Sequence, residues 1–303
     1  MVTLDYYIVD VFAERKYGGN QLAVFLDAKH IDANAMLQIA KEINFAESTF
    51  ILGGDERAGF DVKIFTPESE IPFAGHPTVG TSFVIKNFLI KKEIEKLSLN
   101  LQAGKVNAEF INREDGKLQT FITQVQPQFN NSFDNIEIAA LLNIDAKEID
   151  DQLPICEIST GLPFIIVPLK SIENIKRIKT NSDSFINFMK SKGLYKTNNP
   201  SGLTTSIFCF TTETYEEQND FNSRMLCVED EVLKEDAATG SANGCFLAYY
   251  LKYIKQYANI SMEQGFEMGR PSHLRLKGSF HENHYEIKVG GSVQLVSKGE
   301  WYV

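Results

Sequence analysis

The segment that decides the fold spans residues 65–80 and reads FTPESEIPFAGHPTVG. A second segment, residues 235–244, reads EDAATGSANG and has the same layout. In both, a strand-like stretch ends in acidic residues, a Glu precedes a Gly by five positions, and a polar residue follows the Gly. A largely apolar helical pattern begins at that point. The two segments therefore predict one structural unit that the chain uses twice.

Each half of the sequence combines strands with one long apolar helix. The first helix is predicted to run from Pro77 to Leu89 and the second from Ala242 to Ile254. A helix that is apolar nearly all round must be buried, so we expect a sheet to wrap around each one. The sequence thus predicts an α+β fold of two pseudo-symmetric domains, each a mixed, mostly antiparallel sheet around a central helix.

A polar, proline-containing stretch between the halves predicts the domain boundary. Residues 126–132, QPQFNNS, are the predicted linker. We expect an N-terminal domain at residues 1–126 and a C-terminal domain at residues 133–303, with the last strands free to return to the N-terminal domain. Two separate strands, at residues 285–289 and 292–296, are predicted there.

Composition favours a globular protein that binds a small molecule. The chain has 303 residues, 43% of them hydrophobic, and a formal net charge of −10. Nucleic acids and anionic membranes are bound mainly through clustered Lys and Arg, so the acidic balance argues against both partners. The N-terminal residues lack the pattern of a signal peptide, and the apolar runs are too short to span a bilayer. We therefore expect no membrane partner and a cytoplasmic location.

The cysteines give no sign of a metal site. Cys156, Cys209, Cys227 and Cys245 show no Cys-x-x-Cys spacing and have no nearby histidines that would complete a zinc site. We expect them to be buried, reduced thiols.

Aligning the two repeated segments pairs their polar residues. With Gly75 placed on Gly240, His76 lies opposite Ser241. If a pseudo-two-fold relates the halves, the two helix N-termini converge on the domain cleft. Free backbone N–H groups and the positive end of a helix dipole suit an anion there, most simply a carboxylate.

Several motifs, taken together, resemble the PhzF-type phenazine-biosynthesis proteins, which share a fold with diaminopimelate epimerase. The motifs are VDVF at residues 9–12 followed by Gly19-Asn20, NFAESTF at residues 44–50, the segment 65–78, Arg224-Met225 leading to EDAATGSA at residues 235–242, and QGFEMGRPS at residues 264–272. They occur in order over nearly the whole chain, so the resemblance is much stronger than any one motif.

This resemblance implies an isomerase that moves a proton between carbon atoms of a small carboxylated ring, without a metal or an organic cofactor, and that forms homodimers. Glu47 would be the acid/base, while His76, Asp236 and Ser241 would bind and polarise the substrate. Further substrate contacts are expected from Asn20, Gly75, Thr239 and Gly240. For Asn20, a role in setting the turn after Gly19 is the alternative.

The residue types fit this chemistry. Proton abstraction from carbon needs a base whose pKa is not far from neutral, and the neighbours of Glu47 are largely apolar, so desolvation is expected to raise its pKa. Considered singly, each candidate also has a structural interpretation. Glu47 fits a strand edge, His76 a helix start, Ser241 an N-cap and Asp236 a solvated loop.

Other functions fit less well. Epimerases and racemases of the same fold use two thiols at the helix starts, but Ala74 and Thr239 precede the two glycines here, and Cys245 lies a turn inside. A serine hydrolase is disfavoured because Ser241 is not in a Gly-x-Ser-x-Gly turn. A catalytically inactive protein that binds a small molecule or a partner remains the main alternative.

Three positions near the expected site differ from the common family pattern. Gln21 and Ala237 stand where many members have Pro, and Ala74 stands where many have Cys. These differences leave the fold prediction intact and argue against assuming dihydro-hydroxyanthranilate as the substrate.

Overall fold

The computed structural model describes residues 2–199 and 202–303. The chain divides into two compact units. Unit 1 comprises Met1–Thr123 and Gly290–Val303, and unit 2 comprises Gln124–Val289. The last strand of the chain therefore begins in unit 2 and ends in unit 1.

Unit 1 is rich in strands and has two α-helices among its described residues. Its elements are β1 (Thr3–Val11), β2 (Asn20–Phe25), α1 (Ala33–Ile43), β3 (Glu47–Asp55), β4 (Gly59–Phe65), β5 (Glu70–Ile71), α2 (Gly75–Val84), β6 (Lys96–Leu101), β7 (Gly104–Asn112), β8 (Leu118–Thr123) and the end of β17 (His284–Tyr302). A short 3₁₀ turn covers Ala28–His30, and a π-helical turn, Ile85–Ile90, continues α2. The α+β architecture predicted from the sequence is confirmed.

Unit 1 combines antiparallel and parallel strand pairs. Strand β1 pairs antiparallel with β17 and β2, and β2 pairs parallel with β3. Strand β4 pairs antiparallel with β3 and β5 and parallel with β6, and β7 pairs antiparallel with β6 and β8. The parallel pairs are joined through helices, as parallel strands require.

Helix α2 is enclosed by this sheet. It contacts β1, β2, β3, β6, β7 and β8, and Gly75–Ser82 and Val84 are buried. Close packing explains Gly80, because a Cβ atom there would lie 2.6 Å from Leu22 Cδ2 and 2.7 Å from Val11 Cγ2. Both neighbours are fully buried. The helix therefore approaches the sheet as closely as a residue without a side chain allows.

Unit 2 has the same kind of composition. Its elements are β9 (Gln128–Phe133), α3 (Asn135–Leu142), a 3₁₀ turn (Ala146–Glu148), β10 (Ile155–Ser159), β11 (Pro163–Pro168), α4 (Ile172–Arg177), α5 (Ser182–Ser191), β12 (Ser206–Thr211), β13 (Phe221–Glu229), β14 (Val232–Asp236), α6 (Gly240–Tyr253), β15 (Tyr257–Gln264), β16 (Ser272–His281) and the start of β17.

The pairings of unit 2 repeat those of unit 1 in the same order. Strands β10 and β11 are antiparallel, β11 and β12 parallel, β12 and β13 antiparallel, and β13 and β14 antiparallel. Strand β13 is also parallel to β15, which is antiparallel to β16. Helix α6 contacts β10, β11, β15 and β16, and Gly240–Leu251 are buried. Each unit thus wraps its strands around one buried helix.

The structure corrects several local predictions. The predicted linker at residues 126–132 overlaps β9, which pairs antiparallel with β10, so most of this polar stretch belongs to a sheet. The two predicted final strands are one continuous strand, β17. Strand β15 was not predicted, because its polar residues Asn259, Ser261 and Glu263 interrupt the apolar pattern typical of a buried strand. Within the described residues, no helix has the length and apolar character needed to cross a membrane.

We predict that Gly80→Ala lowers the free energy of unfolding by about 1–3 kcal/mol. The added methyl group must displace Leu22 or Val11 in a closely packed core, which outweighs the better helix propensity of Ala. Urea unfolding of both proteins measures the change. The matched control is Asn34→Ala, an exposed position of α1, where we expect a change within about 0.5 kcal/mol. An equal effect at both positions would refute the packing explanation.

Candidate active site

The N-terminus of α2 offers unpaired backbone donors. The helix begins at Gly75 after the extended residue Ala74, and no described side chain caps it. The Thr78 hydroxyl donates to the Ala74 carbonyl, with an Oγ1–O distance of 2.7 Å. Since Pro77 has no N–H group, Gly75 and His76 supply the first backbone donors. Together with the helix dipole, they make this end suitable for an anion.

The N-terminus of α6 has the same construction. Thr239 precedes the helix, with no side-chain cap among the described residues. Asn243 Nδ2 donates to the Thr239 carbonyl at 3.0 Å, and so takes the place that Thr78 has in α2. Gly240 and the 5% exposed Ser241 form the first turn. The sequence repeat therefore extends to the hydrogen bonds that start each helix.

In unit 1, three predicted site residues lie together. Asn20 and Glu47 are the first residues of the parallel strands β2 and β3, with Glu47 opposite Leu22. His76 is the second residue of α2 and is only 5% exposed. Its Nδ1 atom lies 3.2 Å from Asn20 Nδ2, and its Nε2 atom lies 3.4 Å from Glu47 Oε2. The imidazole thus lies between an amide and a carboxylate.

The His76 ring is neutral near pH 7. Burial lowers its pKa to about 3, and the backbone hydrogen bond with Gln21 opposes this effect less strongly. The approach of His76 to Glu47 is therefore a contact of a neutral ring with a carboxyl group rather than an ion pair.

Glu47 is the less buried member of this group, with a side chain 18% exposed. A base that must reach a substrate needs such partial access. Its carboxylate also lies close to the neutral ring of His76. The rise in the pKa of Glu47 through desolvation stays a prediction.

In unit 2, Asp236 and Thr239 are joined directly. Asp236 ends β14, and Thr239 Oγ1 donates to Asp236 Oδ2 over 2.6 Å. Gln264, at the end of β15, hydrogen-bonds to both residues. Gln264 belongs to one of the family motifs, but no role was predicted for it because its strand was not predicted. A polar residue that ends a buried strand was the available signal.

The acidic residues shared by the two repeated segments have structural partners. Glu70 of β5 lies 3.0 Å from Lys63 Nζ of β4. Glu235 of β14 accepts from Arg224 of β13, with a Nε–Oε2 distance of 2.9 Å. Each pair joins a short strand to its neighbour just before the central helix. These two glutamates therefore stabilise the strand that precedes each helix and are not assigned to the site.

The cysteines do not form an acid/base pair at the helix starts. Cys245 lies inside α6 beside Thr160 and Leu162, and burial raises its pKa to about 12. Cys156 and Cys209 are also buried, but Cys227 is partly exposed, so its predicted burial was wrong. Across the described residues, no group of three or more His, Cys, Asp or Glu side chains could hold a metal ion.

The chain matches a protein-family model over nearly its whole length. The model described as phenazine biosynthesis-like protein, PhzC-PhzF, matches residues 9–299. The chain belongs to this family. The PhzF resemblance seen in the sequence motifs is thereby confirmed.

Family members of known name are similar over their full length. An uncharacterized isomerase of Pasteurella multocida is 31% identical, covering 98% of this chain and 94% of the relative. The trans-2,3-dihydro-3-hydroxyanthranilate isomerase of Pseudomonas aeruginosa is 27% identical over 98% and 99%. The crystal structure of a PhzF-family phenazine biosynthesis protein from Bacillus anthracis superposes with a TM-score of 0.88 at 26% identity, with complete coverage of both chains. This PhzF-family chain is an isomerase.

The neutral state of His76 predicts a pH-dependent stability. The folded pKa of about 3 lies below the ordinary value of 6.5, so the unfolded state binds more protons between these values. Stability contributed by the neutral ring is present above pH 6.5 and is lost as the pH falls towards 3. We expect a loss of about 2 kcal/mol on going from pH 7 to pH 5.

Urea unfolding at pH 5, 6 and 7 measures this loss. His76→Gln should lack that part of the pH dependence, while His281→Gln, at a highly exposed position, should behave like the unchanged protein. A stability difference between His76→Gln and the unchanged protein that is constant with pH would contradict the assignment.

Proposed function

We propose that this isomerase transfers a proton between carbon atoms of a small carboxylated, cyclic amino- or hydroxy-acid, without a cofactor. Glu47 is the acid/base. His76, Asp236 and Ser241 bind and polarise the substrate, with contacts from Asn20, Gly75, Thr239 and Gly240. By resemblance to the family, we also propose a cytoplasmic homodimer.

The observation that supports this proposal most is the contact between Glu47 and the buried, neutral His76. A carboxylate with partial access can take a proton from a substrate C–H bond, while the electron pair of that bond moves into the conjugated system of the substrate. The protonated Glu47, whose carboxyl proton can exchange with solvent, then delivers a proton to another carbon atom. No atoms or electrons are gained or lost, so a single carboxyl group suffices.

The binding roles follow from charge. The substrate carboxylate is suited to the backbone donors at a helix N-terminus, with Gly75 and His76 in unit 1 and Gly240 and Ser241 in unit 2. Asp236, an acceptor when ionised, is suited to a substrate amine or hydroxyl. A neutral His76 supplies a polar contact to Glu47 and adds no charge.

The substrate is proposed as a class. The name of the Pseudomonas aeruginosa relative supports a ring that carries a carboxylate. Gln21, Ala74 and Ala237 differ from the common family pattern beside the proposed site residues. We therefore propose a carboxylated ring without assigning the phenazine precursor.

We predict that Glu47→Gln lowers proton transfer by at least ~100-fold, because the amide cannot accept and return a proton. The measurement is incubation with candidate cyclic amino acids in D2O, with deuterium at carbon followed by NMR. The control Glu42→Gln changes an exposed carboxylate at the end of α1 and should retain full activity. Undiminished exchange in Glu47→Gln would rule out its role as the base.

The same assay separates catalysis from binding alone. If no candidate exchanges while a carboxylated ligand raises the melting temperature, the inactive binding protein is the better description. If exchange occurs and is lost equally in Glu47→Gln and Glu42→Gln, the variants report a general defect. The expected result is loss in Glu47→Gln alone, at an unchanged melting temperature.

A further inference from the structure

Gln264 is completely buried, and both atoms of its amide group are engaged by one short segment. Its Nε2 atom donates to the Asp236 carbonyl at 2.8 Å and to Thr239 Oγ1 at 3.0 Å. Its Oε1 atom accepts from the Thr239 backbone N–H at 3.2 Å and from Asn243 Nδ2 at 3.0 Å. One side chain thus connects the end of β14 with the start of α6.

The partners determine which way the Gln264 amide points. A backbone carbonyl can only accept and a backbone N–H can only donate, so Nε2 must face Asp236 and Oε1 must face the Thr239 nitrogen. The amide nitrogen consequently donates to the Thr239 hydroxyl. A flipped amide would place like groups together at both backbone contacts.

This orientation also determines the Thr239 hydroxyl. Because its oxygen accepts from Gln264, its single proton is directed to another partner. That partner is Asp236 Oδ2, at 2.6 Å. A hydroxyl has only one proton to donate, so while this bond exists the Thr239 hydroxyl donates its hydrogen bond to the Asp236 carboxylate and to no other group.

We propose that Gln264 is a positioning residue that acts through the Thr239 hydroxyl to hold the Asp236 carboxylate in its substrate-binding orientation. The proposal rests on the proposed function for Asp236. Thr239 then has a role in addition to the proposed substrate contact. Its side chain transmits the orientation of a buried amide to the carboxylate.

The turn after Gln264 packs against the same segment and supports this role. Gly265 has a φ of +78°, and a Cβ atom there would lie 2.6 Å from the carbonyl oxygens of Ala237 and Arg270. The backbone of the Asp236–Thr239 turn is therefore packed closely against Gly265 at Ala237. Little freedom remains for the carboxylate except rotation about its own bonds, which the Thr239 hydroxyl restricts.

The activity test uses four variants in the deuterium-exchange assay. Thr239→Val removes the hydroxyl at nearly constant shape, Gln264→Met removes the amide, and the third variant combines both. Each single change should lower kcat/KM by ~10-fold or more, since a buried polar contact is lost. The kcat/KM of the double variant should lie within ~3-fold of that of the less active single variant, because both changes break the same chain of hydrogen bonds.

The fourth variant, Thr239→Ser, keeps the hydroxyl and should retain activity within ~3-fold. Effects of Thr239→Val and Gln264→Met that multiply in the double variant would overturn the proposal. Loss of activity in Thr239→Ser equal to that in Thr239→Val would do the same, because the hydroxyl would then be irrelevant.

A second measurement does not depend on catalysis. Hydrogen–deuterium exchange of the backbone, followed by mass spectrometry, reports on residues 236–243 in each variant. Gln264→Met should speed exchange there ~10-fold or more while residues 75–84 stay unchanged, and Thr239→Ser should have no effect. Unchanged exchange in Gln264→Met would refute the connection. If the unchanged protein transfers no proton to or from any candidate, the proposed function fails, whereas this measurement still decides whether Gln264 holds the segment.

Discussion

The burial of one helix within each unit is the constraint on which the rest of the structure depends. A helix enclosed by strands can carry few polar side chains along its length, and each needs a partner, as Thr81 of α2 has in Thr49. Helix α2 approaches its sheet so closely that Gly80 leaves no room for a methyl group. Polar groups available to a ligand are then expected mainly at the helix ends. At the N-terminus, backbone N–H groups lack partners within the helix, so a ligand that accepts hydrogen bonds can bind there.

The two units meet this constraint with the same frame and different chemistry. In both, the fourth residue of the helix donates from its side chain to the carbonyl before the helix, through Thr78 in α2 and Asn243 in α6. In both, an ion pair holds the preceding short strand. At the start of α2, however, the polar groups are a carboxylate, an amide and a neutral imidazole, while at the start of α6 they are a hydroxyl, an amide and a carboxylate. The acid/base candidate therefore belongs to one unit, whereas the frame belongs to both.

The sequence alone predicted what depends on periodicity and local signals. The two apolar helices and their glycine starts are encoded within a few residues. The contact of Asn20, Glu47 and His76 depends on parallel pairing of β2 with β3, which no local pattern specifies. The neutral state of His76 depends on the surrounding sheet. Strand β15 was not predicted because buried polar residues interrupt its apolar pattern. For the same reason, no role was predicted for Gln264 at its end.

The residues that precede the helix glycines also bear on the kind of proton transfer. A two-base epimerase of this fold needs an acid/base group at both positions. Ala74 has no side chain that could hold a proton, and the Thr239 hydroxyl is committed to Asp236 by the hydrogen bond from Gln264. Neither position can exchange a proton with a substrate. A two-base mechanism through these positions is therefore disfavoured, in line with the proposal that a single carboxylate, Glu47, both removes and returns the proton. Under that proposal we expect transfer between two carbon atoms on one face of a substrate rather than inversion at a single carbon, which needs bases on opposite faces.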